Sequence, residues 1–146
     1  MRKHISTIIA GIIFLTGLSL LLYPTVSDYW NSLHQSRAIA TYAQAVAEVD
    51  DKQYEHMWED AYEYNQQLKS KSNRWIMTDE EREEYESLLN VSDNGILGYI
   101  EIPKIKVSLP IYHGTDEGIL QIAVGHIEGS SLPVGGPGTH AVFSGH

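Results

Sequence analysis

Ile5 to Tyr23 carries no charged residue and is dominated by Ile and Leu. As a helix this run would be about 28 Å long, close to the roughly 30 Å hydrocarbon thickness of a bilayer. Arg2 and Lys3 flank it on the N-terminal side only. The positive-inside rule then predicts a single-pass signal-anchor over 5–23, with residues 1–4 in the cytoplasm and everything after Pro24 outside the cell. The competing reading is a cleaved signal peptide. Its apolar core is about 7–15 residues long and ends at a small-x-small site, whereas this run is longer and gives way to Leu21-Leu22-Tyr23-Pro24. The anchor is therefore the expectation.

The 146 residues suffice for about one domain beyond the anchor, and the formal net charge is −9. Setting aside Arg2 and Lys3 leaves the remainder more acidic still. That balance argues against nucleic acid or an anionic membrane surface as its partner. The sequence contains no cysteine. A disulfide framework, a thiolate zinc site and a thiol nucleophile are thus excluded within these residues, while the compartment is left open.

An extracellular helical segment is predicted over 24–94. Residues 27–70 contain neither Gly nor Pro, and Ser27 is placed to cap a helix start. Ile39, Tyr42, Ala43 and Val46, and then Tyr54, Met57, Trp58, Ala61, Tyr62 and Leu68, follow helical spacing and predict a packed face. Asp50-Asp51 marks a bend or a break between two helices. After a polar linker over 69–77 that holds Trp75, Thr78-Asp79-Glu80-Glu81 has the form of a capping box, and the helix it opens is predicted to run to Leu89. Its acidic first turn suits the helix dipole and otherwise reads as a solvated face.

From Asn94-Gly95 the pattern becomes β-rich. Strands are predicted over 96–102 and 107–112, a short helix capped by Thr115 over 116–123, another strand from Val124, a Gly/Pro/Ser-rich loop over 129–138, and a strand over 139–144. The overall expectation is α+β. Five polar residues here could carry chemistry: His113, His126, Glu128, His140 and His146. Each histidine taken alone is most simply bonded to backbone or water. A His/Glu metal site lacks any HExxH-type spacing, and none is predicted. In a strand His140 and His146 share a face but lie about 20 Å apart, too far to hold one ion. A histidine serving a nucleophile needs a Ser or Cys partner, and Ser144 lacks a Gly-x-Ser-x-Gly elbow. From the residues alone the reading stops at a membrane-tethered extracellular α+β domain with a histidine at the end of a strand.

Four blocks in order carry a resemblance. They are Gly98-Tyr99-Ile100-Glu101-Ile102-Pro103-Lys104-Ile105; Leu109-Pro110-Ile111-Tyr112-His113-Gly114-Thr115; Val124 through Gly136, with His126-Ile127-Glu128-Gly129 inside it; and Thr139-His140-Ala141-Val142-Phe143-Ser144-Gly145-His146. Together they resemble the class C, or pilin-type, sortases over residues 95–146. The resemblance implies a closed β-barrel, of which 95–146 would be the N-terminal, incomplete part, unstable or aggregation-prone when isolated. It implies a cysteine transpeptidase that cleaves LPxTG-like sorting signals and passes the acyl group to an amine of a pilin lysine or a cell-wall precursor. The partners it implies are pilin or surface proteins bearing such signals, at the cell membrane, with no cofactor. His146 matches the catalytic histidine. His140 matches a structural position upstream, and His126 and Glu128 match positions that shape the signature loop. The family's cysteine and arginine match nothing here, so the chain by itself is expected to be inactive. No substrate-binding residue is assigned.

Many class C members carry an Asp-Pro-aromatic lid ahead of the barrel. No Asp-Pro occurs in this sequence; Trp75, after Asn73-Arg74, is the one candidate for a divergent lid, and ordinary packing of its ring is the simpler reading. Two further readings of the whole remain: a non-catalytic tethered module that binds a pilin or partner sortase, and a histidine-based metal-dependent enzyme.

Overall fold

The computed structural model describes the backbone of residues 2–145 and the side chains of residues 5–145. The chain separates into two compact units, Met1–His34 and Gln35–His146. Within the first unit the described residues are helical throughout. Helix α1 spans Arg2–Glu48 with Pro24 inside it. It is long and apolar enough to cross a membrane, and Ile8, Ile12, Phe14, Leu15, Leu20 and Leu21 are all exposed along it. The expected new start at Ser27 is absent. Pro24 removes only one backbone donor, and the neighbouring turns stay helical around it.

The second unit is α+β. α1 ends at Glu48 and α2 (Asp51–Ser70) begins after a cap: the Asp50 carboxylate accepts from Gln53 N at 2.8 Å. The aspartate pair thus marks a break between helices. α3 (Asp79–Ser87) opens with both halves of the expected capping box. Thr78 Oγ1 accepts from Glu81 N at 3.3 Å, and Thr78 N donates to the Glu81 carboxylate at 2.9 Å. The helix stops at Ser87, two residues earlier than the periodicity predicts, because Leu89 adopts a left-handed conformation with φ 58°. That turn swings Leu88 and Leu89 inward against the core.

Strands β1 (Ile96–Ile102) and β2 (Val107–His113) form an antiparallel pair around a 3-10 turn at Pro103–Ile105, with Ile100 opposite Leu109. A single helical turn, α4 (Glu117–Leu120), leads to β3 (Val124–His126), which runs parallel to β2 with His113 opposite His126. Thr115 does not cap α4; Asp116 occupies the cap position and forms no side-chain cap bond. β4 (Phe143–Ser144) closes the four-stranded order β1-β2-β3-β4 antiparallel to β3.

The core gathers Ala61, Tyr64 and Leu68 of α2, Tyr85 of α3, Leu97, Ile111 and Leu132. The buried stripe of α2 is therefore rotated from the expected one. Tyr54, Trp58 and Tyr62 are partly exposed, and polar Asn65 is buried in their place. Asn65 earns that position with a two-way clamp on the loop backbone: its Nδ2 donates to Leu132 O at 3.0 Å and its Oδ1 accepts from Leu132 N at 2.7 Å. A buried amide bonded on both sides meets no desolvation penalty that goes unanswered.

Candidate functional site

The loop between β3 and β4 is built on His126. This side chain is fully buried, and its surroundings specify its tautomer. Nε2 lies 2.9 Å from Ser131 O, a group that can only accept, so Nε2 carries the proton. Nδ1 is then an acceptor, and Tyr85 Oη donates to it at 2.8 Å. Tyr85 Oη in turn accepts from Gly114 N at 3.1 Å. One relay thus ties α3, the end of β2, β3 and the loop together. Burial raises the Tyr85 phenol well above its ordinary range and lowers His126, a lowering partly opposed by the Ser131 bond and reinforced by His113.

His113 sits across the Tyr85 ring, with centroids 4.9 Å apart at 83°. Its Nε2 lies 2.8 Å from Leu88 O and its Nδ1 3.1 Å from Gly95 O. Two carbonyls favour the imidazolium, but burial dominates and holds His113 below its ordinary value. Burial thus disfavours the charged form of both histidines, and both are bonded into the fold.

Two serines extend this arrangement to the last segment. Ser130 Oγ donates to Ile127 O at 2.7 Å and accepts from Val142 N at 3.2 Å. Ser131 Oγ accepts from His140 N at 3.2 Å, while Ser131 N donates to His140 O at 2.9 Å. The strand expected over 139–144 is consequently reduced to Phe143–Ser144. The upstream N–H groups bond to serine hydroxyls instead of a neighbouring strand. His140 is exposed at the surface beside this seam, and Gly145 packs against Val124. His146, the expected catalytic histidine, lies outside the described residues.

On the other side of the loop Glu128 pairs with Arg82 of α3. Gly129, at φ 80°, lies so close to the Arg74 carbonyl that a Cβ there would collide with it and press on the Trp75 ring. Trp75 leaves 58% of its surface exposed, so it is not a core residue; the Arg74 guanidinium covers its ring at 4.9 Å from the centroid. Among the described residues no three or more His, Asp and Glu side chains converge to hold a metal ion. Tyr85, Asn65, Ser130 and Ser131 do most to shape the site, and sequence reasoning singled out none of them. The one available signal was Tyr85 as the lone aromatic in an acidic helix, on the same face as Leu88 and Leu89.

No family model matches the sequence, and no curated protein does. Solved structures do. Sortase C1 from Streptococcus agalactiae is 48% identical over 75% of this chain, with a TM-score of 0.71. Sortase C from Clostridium perfringens, solved as a complex with the C-terminal cell wall sorting signal motif, is 37% identical over 76%, with a TM-score of 0.60. Sortase C from Streptococcus pneumoniae is 33% identical over 75%, with a TM-score of 0.60. This chain covers 57%, 52% and 55% of those proteins, little more than half their length. The matched blocks extend beyond the β-rich part into the helices, because 75% of the chain is more than residues 95–146 contain. The identity, the coverage and the shared fold together mean that this chain belongs to the class C sortases.

Proposed function

We propose that this chain is the membrane-anchored N-terminal portion of a cysteine transpeptidase that cleaves LPxTG-like sorting signals and joins the acyl fragment to an amine of a pilin lysine or cell-wall precursor. The observation that carries the reading is the 48% identity to a solved sortase C1 across three quarters of the chain. The sorting-signal complex of the Clostridium perfringens relative supports the substrate class. The 146 residues hold no cysteine, so in this reading the nucleophilic sulfur is encoded outside them; the family's arginine matches no position here either, and these residues alone are inactive. The orientation follows from Arg2 and Lys3: N-terminus in the cytoplasm, Gln35–His146 outside.

In this reading the protonated His146 side chain gives its proton to the leaving amine as the Thr–Gly bond of the signal breaks, the general-acid role open to a histidine. The serine seam fixes the segment that leads to it. Trp75, exposed and set against the Gly129 loop, serves as a plug over the site. In the enzyme carrying its cysteine, Trp75→Ala then speeds alkylation of that thiol; an unchanged rate rejects the plug. The main test uses the open reading frame continued to its stop codon. The purified product should cleave a fluorogenic LPxTG-like peptide, and His146→Ala should lower kcat/KM by about 10²–10⁴. Undiminished cleavage by His146→Ala contradicts the assignment of roles. A continuation with neither cysteine nor arginine contradicts the proposed function itself.

A further inference from the structure

Beyond Pro24, α1 carries a second apolar feature that a membrane span does not require. Val26, Tyr29, Trp30 and Leu33 are 62%, 66%, 63% and 37% exposed. At about 100° per residue they fall within an arc of roughly 100° on one side of the helix. Ser27, Asp28 and Asn31 occupy the opposite side, and Asp28 is the only charged residue between Lys3 and Arg37. The apolar arc is continuous with Leu22 and Tyr23 at the end of the apolar run. Trp30 is also held in place: its ring lies 4.9 Å from that of His34, whose Nδ1 donates to Trp30 O at 2.9 Å.

We propose that Val26, Tyr29, Trp30 and Leu33 form a one-sided collar that rests in the headgroup and upper acyl region of the outer leaflet. This inference deepens the reading of Ile5–Tyr23 as a membrane span and rests on it. The chemistry fits that occupant: Tyr and Trp present an apolar ring and a polar edge to the boundary where hydrocarbon gives way to headgroups. The lengths fit as well. Trp30 lies about 10 Å along the helix axis from Tyr23, while the polar zone of one leaflet is about 5–8 Å deep. An upright helix would carry Trp30 past the headgroups, and an inclined one lays the stripe against them. Pro24 leaves the Leu20 carbonyl without its helical donor, so the incline has a site where the helix yields easily. The collar fixes the depth of the span and the face of the helix that meets the lipid.

The test uses the full chain with Trp58→Phe and Trp75→Phe, so that Trp30 is the sole tryptophan, reconstituted in phosphatidylcholine vesicles. Trp30 emission should lie at shorter wavelength than tryptophan in water. A nitroxide on the lipid headgroup should quench it more than one near the acyl-chain terminus. A probe on the opposite arc, Asn31→Trp combined with Trp30→Phe, should be quenched less by both lipids. Chain that resists alkaline washing while Trp30 emits as in water and escapes both quenchers overturns the collar and leaves the span intact. Blue-shifted emission that neither lipid label quenches points to a second copy or another protein on the stripe and also overturns it. Equal quenching of the Asn31 probe overturns the one-sided geometry. Chain released by the alkaline wash overturns the membrane reading itself.

Discussion

Replacing Tyr85 by Phe removes one oxygen atom and leaves two buried groups without partners. The ring stays, so no cavity opens and its place in the core cluster, beside the Tyr64 ring at 6.3 Å, survives. What is lost is the Gly114 N–H bond at 3.1 Å and the bond to His126 Nδ1 at 2.8 Å. Stranding a buried donor or acceptor costs about 1–3 kcal/mol. The two groups are neighbours and can relax together, so their costs do not simply add. The expected destabilisation is about 2–4 kcal/mol, at the upper end of what single substitutions do. Because the sequence has no cysteine, Ala61→Cys supplies a unique thiol in the same core cluster, where Ala61 is fully buried. Pulse alkylation of that thiol in increasing urea, with the full chain in detergent micelles, gives the opening free energy with and without Tyr85→Phe. A loss below about 0.5 kcal/mol, within the range of ordinary surface substitutions, would refute the claim that this hydroxyl joins α3 to the sheet.

The other consequences use the same reporter. His113 and His126 are both held below the ordinary value of 6.5 chiefly by burial, so the unfolded chain binds protons first as the pH falls. Stability is therefore full above pH 6.5 and declines from there toward the lowered folded values; an opening free energy that stays level or rises as the pH falls from 7.5 to 5 contradicts the downward shifts. Ser130→Ala strands Val142 N and should cost about 1–3 kcal/mol, with faster hydrogen exchange at Val142; unchanged exchange there would dismiss the serine seam. Gly129→Ala brings a Cβ against the Arg74 carbonyl at a positive φ, so it should destabilise the loop by more than about 1 kcal/mol and redshift Trp75 emission as the ring loses its support. A neutral effect would mean that the Arg74–Trp75 segment does not rest on the loop.

What the sequence disclosed was decided locally. The break at Asp50-Asp51, the Thr78–Glu81 box and the strands after Gly95 depend on neighbours within a few residues, and all three appear in the structure. The four blocks over 98–146 likewise carry the family resemblance in their residues alone. The failures have causes that a local pattern does not carry. Pro24 and Ser27 suggested a fresh helix start, but the cost of one missing donor did not break α1. The alternation over 139–144 suggested a full strand, but Ser130 and Ser131, across the intervening loop, took up the backbone donors of His140 and Val142. Tyr85 was hidden in a run of carboxylates that otherwise reads as solvated surface, and its partner His126 follows only after two strands and a loop. Asn65 looked like surface on a helix and proved to be a clamp, because its partner is the Leu132 backbone rather than any side chain a pattern could reveal.

The direct measurement is mass spectrometry of the full-frame product mixed with a sorting-signal peptide and quenched in acid. The account predicts a thioester between the threonine carbonyl of the peptide and a cysteine encoded after His146, removed by hydroxylamine and formed more slowly in His146→Ala. Protein that carries no adduct and leaves the peptide intact would contradict it.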